Sequence, residues 1–344
     1  MENETDIRFI TRKWAPAMGG METYCLRLTE EMAKTQKLDI IALPGKSNGD
    51  VPSAFSLIWF GLKTAVRLLF TKPAKIVHIG DVASWPLGWI ASLRHPASKI
   101  ILSAHGSDLN FATGQGLAAR LYAGYISLAT KLLPGATLIA NSGWIADLAD
   151  QQGFGKIVTV PLATDVKALQ APNSHNGCLF FAGRIMPSKG LSYLVEKVLP
   201  LLPNPPKIRV AGTVWDEQEG RILKSPLVEY LGLLAPDQLV KEYGAALCAV
   251  VPSLTKEGFG LVAAEAAACG AVVLASDHSG LAEVVTEDIG FVAAVDDPQT
   301  WAATIMKIHD WPDEKRAKFI ASSMRTAQDR YSWDRVARDT IAAY

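Results

Sequence analysis

One segment of the 344-residue chain combines a carboxylate, two glycines and the start of a predicted helix. Glu257 precedes Gly258 and Gly260, and the helix is predicted to begin near Leu261. The first N–H groups of a helix have no partner within the helix and lie at its positive end. The N–H groups of Phe259, Gly260 and Leu261 are therefore predicted to be free donors beside the carboxylate.

Glu265 follows Glu257 with seven residues between them, on a predicted helix otherwise made of Val, Ala and Cys. A lone carboxylate on an apolar helix is costly to bury unless it is hydrogen-bonded. A pair of ribose hydroxyls would satisfy both oxygens of Glu265. A capping role or a salt bridge is the structural alternative.

Two cations lie five residues apart on the turn from Gly183 to Gly190, which leads from a predicted strand into a helix. Arg184 can bind two oxygens at once, and Lys189 adds a point charge. This pair suits a diphosphate, while a solvated basic turn is the alternative.

Two candidates in the first half also follow predicted strands. Gly19 and Gly20 precede a helix, where their backbone N–H groups could approach a phosphate closely. A tight turn between strand and helix explains them equally well. His105, with Gly106 beside it, is predicted to face a ligand crevice, although a hydrogen-bonded and partly buried histidine is the alternative.

Short apolar runs bounded by Gly, Pro or polar residues alternate with helical stretches along the whole chain. Apolar strands separated by helices are typical of parallel sheets buried on both faces, beyond whose carboxyl ends ligands bind. The sequence thus predicts an α/β protein with two Rossmann-like, doubly wound domains. The predicted strands are Ile7–Ile10, Leu38–Ala42, Ile76–Ile79, Lys99–Ser103, Ala136–Ala140 and Ile157–Val160 in the first half, then Cys178–Ala182, Ile208–Ala211, Val228–Leu231, Leu247–Val251, Ala271–Ala275 and Gly290–Val295.

The chain length also favours two domains, at about 150 residues per domain. The best linker is Asp165–Gly177, which is rich in Pro, Asn, Ser and His. We therefore place one domain at 1–168 and the other at 169–330, followed by an amphipathic helix over 331–344.

The balance of charge argues against a general nucleic-acid-binding protein. Lys and Arg together number 34, as do Asp and Glu, so the net charge is zero. Residues 46–131 nevertheless contain nine basic and three acidic residues. One face of the first half is therefore predicted to meet something anionic.

The cysteines and the apolar stretches indicate a cytoplasmic protein. Cys25, Cys178, Cys248 and Cys269 each lie in an apolar run and form no Cys-x-x-Cys pair, as expected of buried thiols in a reducing compartment. The N-terminus shows no apolar signal region, and no stretch approaches the roughly 20 apolar residues that span a membrane.

A competing interpretation is a dinucleotide-binding dehydrogenase. Gly258, Gly260 and Ala263 form a Gly-x-Gly-x-x-Ala variant, with Asp277 at nearly the right distance. The first glycine of that fingerprint should directly follow the strand, but six residues separate Val251 from Gly258.

The sequence also contains no Asp-x-Asp pair to hold a metal against a nucleotide sugar, so we expect no metal and no cofactor.

Together these segments resemble the retaining glycosyltransferases of family 4, which have the GT-B fold of two Rossmann-like domains facing a central cleft. The resemblance runs over nearly the whole chain, and the most specific part is the spacing from Glu257 to Glu265 with Gly-Phe-Gly inside. It implies that the helix over 331–344 completes the first, acceptor-side domain, and that 169–330 binds the nucleotide-sugar donor. Leu162-Ala163-Thr164-Asp165 departs from the family's usual Asn-Gly-Val-Asp.

The resemblance also implies a role for each candidate residue. Catalytic contacts to the sugar come from His105 and Glu257, and the backbone of Phe259, Gly260 and Leu261 holds the same sugar. The diphosphate lies against Gly20, Arg184 and Lys189. Glu265 binds the ribose, and Leu233 and Leu234 line the base.

The implied function is metal-independent transfer of a sugar, with retention of configuration, from a UDP- or GDP-sugar to a glycan or lipid-linked acceptor. Such a hexosyltransferase would serve polysaccharide or glycoconjugate biosynthesis. The alternatives are a nucleotide-sugar epimerase, a phosphorylase, a sugar-nucleotide sensor and, less favoured, the NAD-dependent dehydrogenase.

The segment Ser56–Phe70 is predicted to form an amphipathic helix that could lie on a membrane surface. Its apolar side comprises Leu57, Ile58, Leu62, Ala65 and Leu69, with Lys63, Arg67 and an exposed Phe60 on the other side. The structural alternative is that the apolar side packs on the parallel sheet. Peripheral contact with the inner face of the plasma membrane is thus a further expectation.

Overall fold

The computed structural model describes residues 5–17, 19–46, 52–172 and 174–344, apart from the side chain of residue 107. The chain divides into two compact units, one formed by Met1–Leu162 with Trp333–Tyr344 and the other by Ala163–Ser332. We call them the N-terminal unit and the C-terminal unit. Met18 of the first glycine-rich turn and Asn173 of the expected linker lie outside the described residues.

A six-stranded parallel sheet forms the centre of the N-terminal unit, with strand order β2-β1-β3-β4-β5-β6. Its strands are β1 (Thr5–Thr11), β2 (Leu38–Ala42), β3 (Ala74–Ile79), β4 (Lys99–Ala104), β5 (Thr137–Ala140) and β6 (Lys156–Thr159). The helices are α1 (Gly20–Met32), α2 (Ala54–Phe70), α3 (Trp85–Arg94), α4 (Ser107–Ala112), α5 (Leu117–Leu132), α6 (Gly143–Gln151) and the C-terminal α13 (Trp333–Ala342).

The C-terminal unit contains a second six-stranded parallel sheet, with strand order β12-β11-β10-β7-β8-β9. Its strands are β7 (Leu179–Ala182), β8 (Ile208–Ala211), β9 (Val228–Gly232), β10 (Cys248–Val251), β11 (Val273–Ser276) and β12 (Gly290–Ala293). The helices are α7 (Leu191–Tyr193, continuing in π and 3-10 turns to Leu201), α8 (Pro236–Ala245), α9 (Leu261–Ala268), α10 (Ser279–Val284), α11 (Pro298–His309) and α12 (Asp313–Arg330).

All twelve predicted strands are present, which confirms the predicted fold class. Strands β5, β10 and β11 are buried along their whole length, because helices cover both faces of each sheet. Three of the four cysteines are buried free thiols as expected, but Cys178, just before β7, is only half-buried.

The orientation of α2 differs from the prediction. Thr64 and Leu68 are its buried residues, and Phe60 packs against the core instead of facing solvent. Ile58 and Leu62, on the side predicted to meet a membrane, are 63% and 57% exposed, so the alternative that this side packs on the sheet does not hold for them. The prediction of an exposed Phe60 was wrong, because apolar residues occupy both sides of this helix and composition alone does not identify the side that packs.

None of the helices in the described residues is long and apolar enough to cross a membrane.

Candidate functional site

The loops that follow β7 and β10 lie side by side, because these strands are neighbours in the sheet of the C-terminal unit. The N–H of Leu254 donates to the carbonyl of Ser188 at 2.9 Å and joins the two loops. Gly190 has a φ of 72°, and a Cβ at this position would lie 2.0 Å from the carbonyl oxygen of Pro252. Only glycine therefore allows the basic turn to pack this closely against the second loop.

Lys189 and Glu257 meet where these two loops touch. Nζ of Lys189 donates to Oε1 of Glu257 at 2.8 Å, and the hydroxyl of Ser253 donates to the same oxygen. The Lys189 and Glu257 side chains are 23% and 17% exposed, so the pair is open to a ligand at one side. The structure thus places a cation and a carboxylate within reach of the same bound molecule.

The backbone around Glu257 is held by the loop after β11. The N–H of Glu257 donates to Oγ of Ser279 at 2.9 Å, and the N–H of Gly280 donates to the carbonyl of Glu257 at 3.1 Å. Nε2 of His278 donates to the carbonyl of Ser253 at 2.8 Å. Because Ser279 takes an uncommon positive φ of 55°, this support is a specific backbone arrangement.

Helix α9 begins at Leu261, as predicted, and Gly260 before it has a φ of 96°. A Cβ at Gly260 would lie 2.7 Å from Cδ1 of Leu281. No acceptor among the residues that the structure describes meets the N–H groups of Phe259, Gly260 or Leu261. The ring of Phe259 is buried against Tyr331, at 5.5 Å between centroids, so only its backbone can meet a ligand.

Glu265 is half-buried on α9, with alanines on either side. Burial raises the pKa of its carboxyl from 4.5 to about 7. None of the side chains described in the structure forms a hydrogen bond or an ion pair with this carboxyl. Glu265 therefore has no protein partner among the described side chains, and the capping and salt-bridge alternatives do not apply to it in the described chain.

Arg184 is exposed and does not join the pair of Lys189 and Glu257. Its guanidinium carbon lies 4.8 Å from the ring centroid of Trp215, a residue of the loop after β8. The two loops approach closely, since a Cβ at Gly212 would lie 1.8 Å from the carbonyl oxygen of Gly183. Trp215 thus holds the guanidinium by a cation–π contact at the carboxyl end of the sheet.

Leu233 and Leu234 follow β9, the edge strand of the same sheet. Leu233 is 71% exposed and Leu234 is half-buried. These two side chains provide an apolar surface at the carboxyl edge, two strands away from β7.

His105 follows β4 in the N-terminal unit and is half-buried. Its Nε2 donates to the carbonyl of Gly80 at 2.9 Å, and its ring meets that of Tyr24 edge-on at 4.5 Å. Asp108 accepts hydrogen bonds from the N–H groups of His105, Gly106 and Leu109 and so fixes the turn. Because a carbonyl only accepts, the neutral ring keeps its proton on Nε2 and leaves Nδ1 as an acceptor.

Gly20 is the first residue of α1, after Gly19 as the cap, and it is exposed. A Cβ at Gly20 would meet nothing within 4 Å, so space alone does not require glycine there. Gly20 and His105 follow β1 and β4, two strands that flank β3 in one sheet.

The structure therefore gathers Lys189, Glu257 and the N-terminus of α9 at one edge of the C-terminal unit, with Arg184 on an adjoining loop. Gly20 and His105 belong to the other unit. Sequence analysis missed the supporting residues Ser253, Trp215, His278 and Ser279. Polar residues directly after predicted strands were a usable signal for Ser253, His278 and Ser279. Nothing in the sequence indicated the stacking of Trp215.

Within the described part of the chain, no three His, Cys, Asp or Glu side chains are grouped to hold a metal ion.

Residues 177–310 match the family model of the glycosyl transferases group 1. This segment is a glycosyltransferase group 1 domain. It contains every candidate residue described above in the C-terminal unit. The glycosyltransferase domain therefore contains the paired Lys189 and Glu257, and Glu265.

Curated relatives of this glycosyltransferase domain include two bacterial proteins named D-inositol 3-phosphate glycosyltransferase. The one from Xylanimonas cellulosilytica is 33% identical over 208 residues, covering 54% of this chain and 48% of the relative. The one from Kineococcus radiotolerans is 26% identical over 342 residues, covering 87% of this chain and 78% of the relative. The match spans less than half of several other relatives, such as 41% of the one from a Nocardioides species.

Solved structures of glycosyltransferases share the fold of the whole chain. Sucrose-phosphate synthase from Thermosynechococcus elongatus has a TM-score of 0.75 at 20% identity, covering 99% of this chain and 100% of the other. The Anabaena protein HepE, solved in complex with UDP and glucose, has a TM-score of 0.72 at 17% identity, covering 98% of both chains. The fold is therefore the GT-B fold.

Proposed function

We propose that the chain transfers a sugar from a UDP- or GDP-sugar to a glycan or lipid-linked acceptor. The observation that carries this proposal is one set of polar and charged groups within a glycosyltransferase group 1 domain. Beside the pair of Lys189 and Glu257 lie the free N–H groups that begin α9, and Glu265 has no partner in the described chain. A nucleotide sugar supplies phosphate oxygens, sugar hydroxyls and ribose hydroxyls to match them.

The diphosphate is assigned to Arg184 and Lys189, and to Gly20 because of the resemblance to family 4. Arg184 is exposed and held by a single ring contact, so it can bind a phosphate without breaking an ion pair. Lys189 is already paired with Glu257, so the positive charge of Lys189 would interact both with a bound diphosphate and with Glu257. Fixed cations of this kind stabilise the charge that develops on a leaving diphosphate.

The donor sugar is assigned to Glu257 and to the N–H groups of Phe259, Gly260 and Leu261. Glu257 accepts hydrogen bonds from hydroxyls of the sugar, while the N–H groups at the start of α9 donate hydrogen bonds to oxygens of the sugar. His105 is a further proposed contact of the sugar because of the resemblance. Its Nδ1 would accept a hydrogen bond from a hydroxyl, since its Nε2 donates to the carbonyl of Gly80.

The nucleoside is assigned to Glu265, Leu233 and Leu234. Two ribose hydroxyls would donate to the carboxylate of Glu265, and the two leucines would pack against the base. HepE, which shares the fold, was solved with UDP, which supports a nucleoside diphosphate as the leaving group here.

The proposed reaction needs no metal ion and retains the configuration at the anomeric carbon. The bond between that carbon and the phosphate oxygen breaks, and the acceptor oxygen forms the new bond on the face that the diphosphate leaves. The proton of the acceptor hydroxyl passes to the departing phosphate. Retention is what the resemblance to family 4 implies, and the cations of the site take the place of a metal in stabilising the diphosphate.

The proposal is tested by a thermal-shift screen followed by product analysis. A ligand that binds only the folded state raises the melting midpoint of the protein. UDP or UDP-sugars, or GDP or GDP-sugars, should therefore raise this midpoint, and NAD should not. A labelled donor should then release nucleoside diphosphate and leave its label on an acceptor. Stabilisation by NAD alone would favour the dehydrogenase, and isomerised donor without transfer would identify an epimerase.

A further inference from the structure

Helix α2 exposes most of its large apolar side chains. Thr64 and Leu68 are its buried residues, and Phe60 and Ala65 are half-buried against the same core. The large apolar side chains on the outward face, with their exposed fractions, are Phe55 76%, Ile58 63%, Trp59 60%, Leu62 57%, Val66 56%, Leu69 47% and Phe70 85%. A contiguous exposed apolar patch of this kind marks an interaction site.

The exposed apolar patch continues on neighbouring helices that cover the same face of the sheet. Connections between parallel strands are right-handed, and α2, α3 and α5 each precede a strand farther along the order β3-β4-β5. They therefore lie side by side on one face of the sheet, which α6 before β6 continues, while α1 lies on the opposite face. Leu93 of α3 is 63% exposed, and Leu117 and Leu121 of α5 are 73% and 66% exposed.

The charge on α2, α3 and α5, which we call the layer, has a single sign. These three helices contain no acidic residue, whereas α6 at the end of the same face carries the exposed Asp147 and Asp150. Arg67 is paired with Asp39 at 2.9 Å. The exposed cations of the layer are Lys63, Arg67, Arg94, Arg120 and Lys131.

We propose that the layer of α2, α3 and α5 docks the protein on an anionic lipid bilayer. Apolar side chains among cations fit a surface with acyl chains beneath anionic headgroups. A second copy of this chain fits poorly, because a twofold interface would place these cations against one another. The apolar residues would enter the headgroup region, and the cations would remain at the level of the phosphates.

Docking of this layer rests on surface composition and does not depend on the proposed transfer reaction. It deepens that function, because a lipid-linked acceptor would be carried at the surface on which the protein lies. The measurement below uses no donor and no acceptor. Its failure would therefore leave the donor chemistry of the C-terminal unit standing.

Vesicle co-sedimentation tests the proposal with the full chain. The parent should sediment with vesicles of phosphatidylcholine and phosphatidylglycerol at low salt, and less so at high salt or with phosphatidylcholine alone. Lys63→Glu with Arg120→Glu should weaken binding by at least about tenfold. Arg67 is left unchanged, since its reversal would place a carboxylate beside Asp39.

A second variant separates the apolar contribution from the charge. Ile58→Ser with Leu62→Ser should also weaken vesicle binding by at least about tenfold, because both side chains leave water on docking. The matched control, Leu169→Ser with Met306→Ser, removes two exposed apolar side chains from the C-terminal unit and should bind as the parent does. Circular dichroism and the melting midpoint confirm that each variant is folded.

Three results would overturn the proposal. The parent could remain in the supernatant at low salt, or the folded Ile58→Ser, Leu62→Ser variant could sediment as the parent does. Lastly, the parent could be a dimer in solution that this variant converts to a monomer, which would assign the layer to a second copy of the chain.

Discussion

Nζ of Lys189 and Oε1 of Glu257 lie 2.8 Å apart, so a proposed ligand of the diphosphate is paired with a proposed ligand of the sugar. Each therefore holds the other in place before a donor arrives. Arg184, the second proposed diphosphate ligand, contacts the ring of Trp215 instead. Removing the two cations should consequently have different effects on stability, although both should impair catalysis.

Arg184→Ala should lower turnover by about 100-fold, because losing one preorganised donor to developing charge costs about 3 kcal/mol. Its melting midpoint should match that of the parent, since the side chain is exposed. Lys189→Ala should lower turnover similarly and also lower the midpoint, because Glu257 loses its counter-charge. Steady-state kinetics and thermal melts measure both effects.

Lys224→Ala is the matched control for these two variants, because it removes an exposed cation of the same unit outside the site. It should leave turnover unchanged. If Arg184→Ala and Lys189→Ala both retained turnover within about twofold of the parent, the diphosphate assignment would be wrong. The loss of a contact to developing charge has a much larger effect on turnover.

Gly190→Ala should destabilise the protein more than Gly232→Ala, although the two glycines have φ values of 72° and 73°. Both substitutions force alanine into a left-handed conformation, which costs about 1 kcal/mol. Only at Gly190 would the new Cβ also collide with backbone, whereas nothing lies within 4 Å at Gly232. Urea unfolding compares the two, and equal losses would show that the loops can separate without cost.

Much of the fold could be predicted from the sequence, because all twelve strands are apolar runs bounded by Gly, Pro or polar residues. The beginning of α9 at Leu261 was predictable for a similar reason, since Gly260 marks a helix start. The predicted site residues of the C-terminal unit follow its strands, and their roles stay predictions.

The remaining features depend on tertiary contacts that leave no trace in local sequence. The pairing of Lys189 with Glu257 joins residues 68 positions apart, and the contact of Trp215 with Arg184 depends on the closeness of two loops. Phe60 of α2 was wrongly predicted to be exposed, because apolar residues occupy both sides of this helix. The exposed side of such a helix is recognisable only after the packed side has been located.

Activity should persist in the presence of a chelator. The proposed site stabilises the diphosphate with Arg184, Lys189 and the N–H groups at the start of α9, so divalent ions have no necessary role in it. Donor turnover in EDTA should equal turnover in magnesium or manganese. Complete loss in EDTA that either metal restores would contradict this prediction.

Glu265 should make stability depend on pH in an identifiable window. Burial raises the pKa of its carboxyl from 4.5 to about 7, so between these values the folded state binds more protons than the unfolded state. The free energy of unfolding should therefore fall as pH rises through this window, by at most about 3 kcal/mol. Glu265→Gln should remove this fall and make the variant the more stable protein at pH values above about 7.

The same carboxyl should also make nucleotide affinity depend on pH. Ribose hydroxyls donate to the ionised form of Glu265 and favour it, so binding should strengthen as pH rises through about 7. Glu265→Gln should weaken nucleoside diphosphate binding and flatten this dependence relative to the parent, a comparison in which titration of the phosphate itself cancels. A 2′,3′-dideoxy analogue should be affected less, because it cannot donate to the carboxylate.

Calorimetric titrations at several pH values measure both dependences. Equal losses of affinity for the two nucleotides would mean that Glu265 does not bind the ribose, and its raised pKa would then matter only to stability.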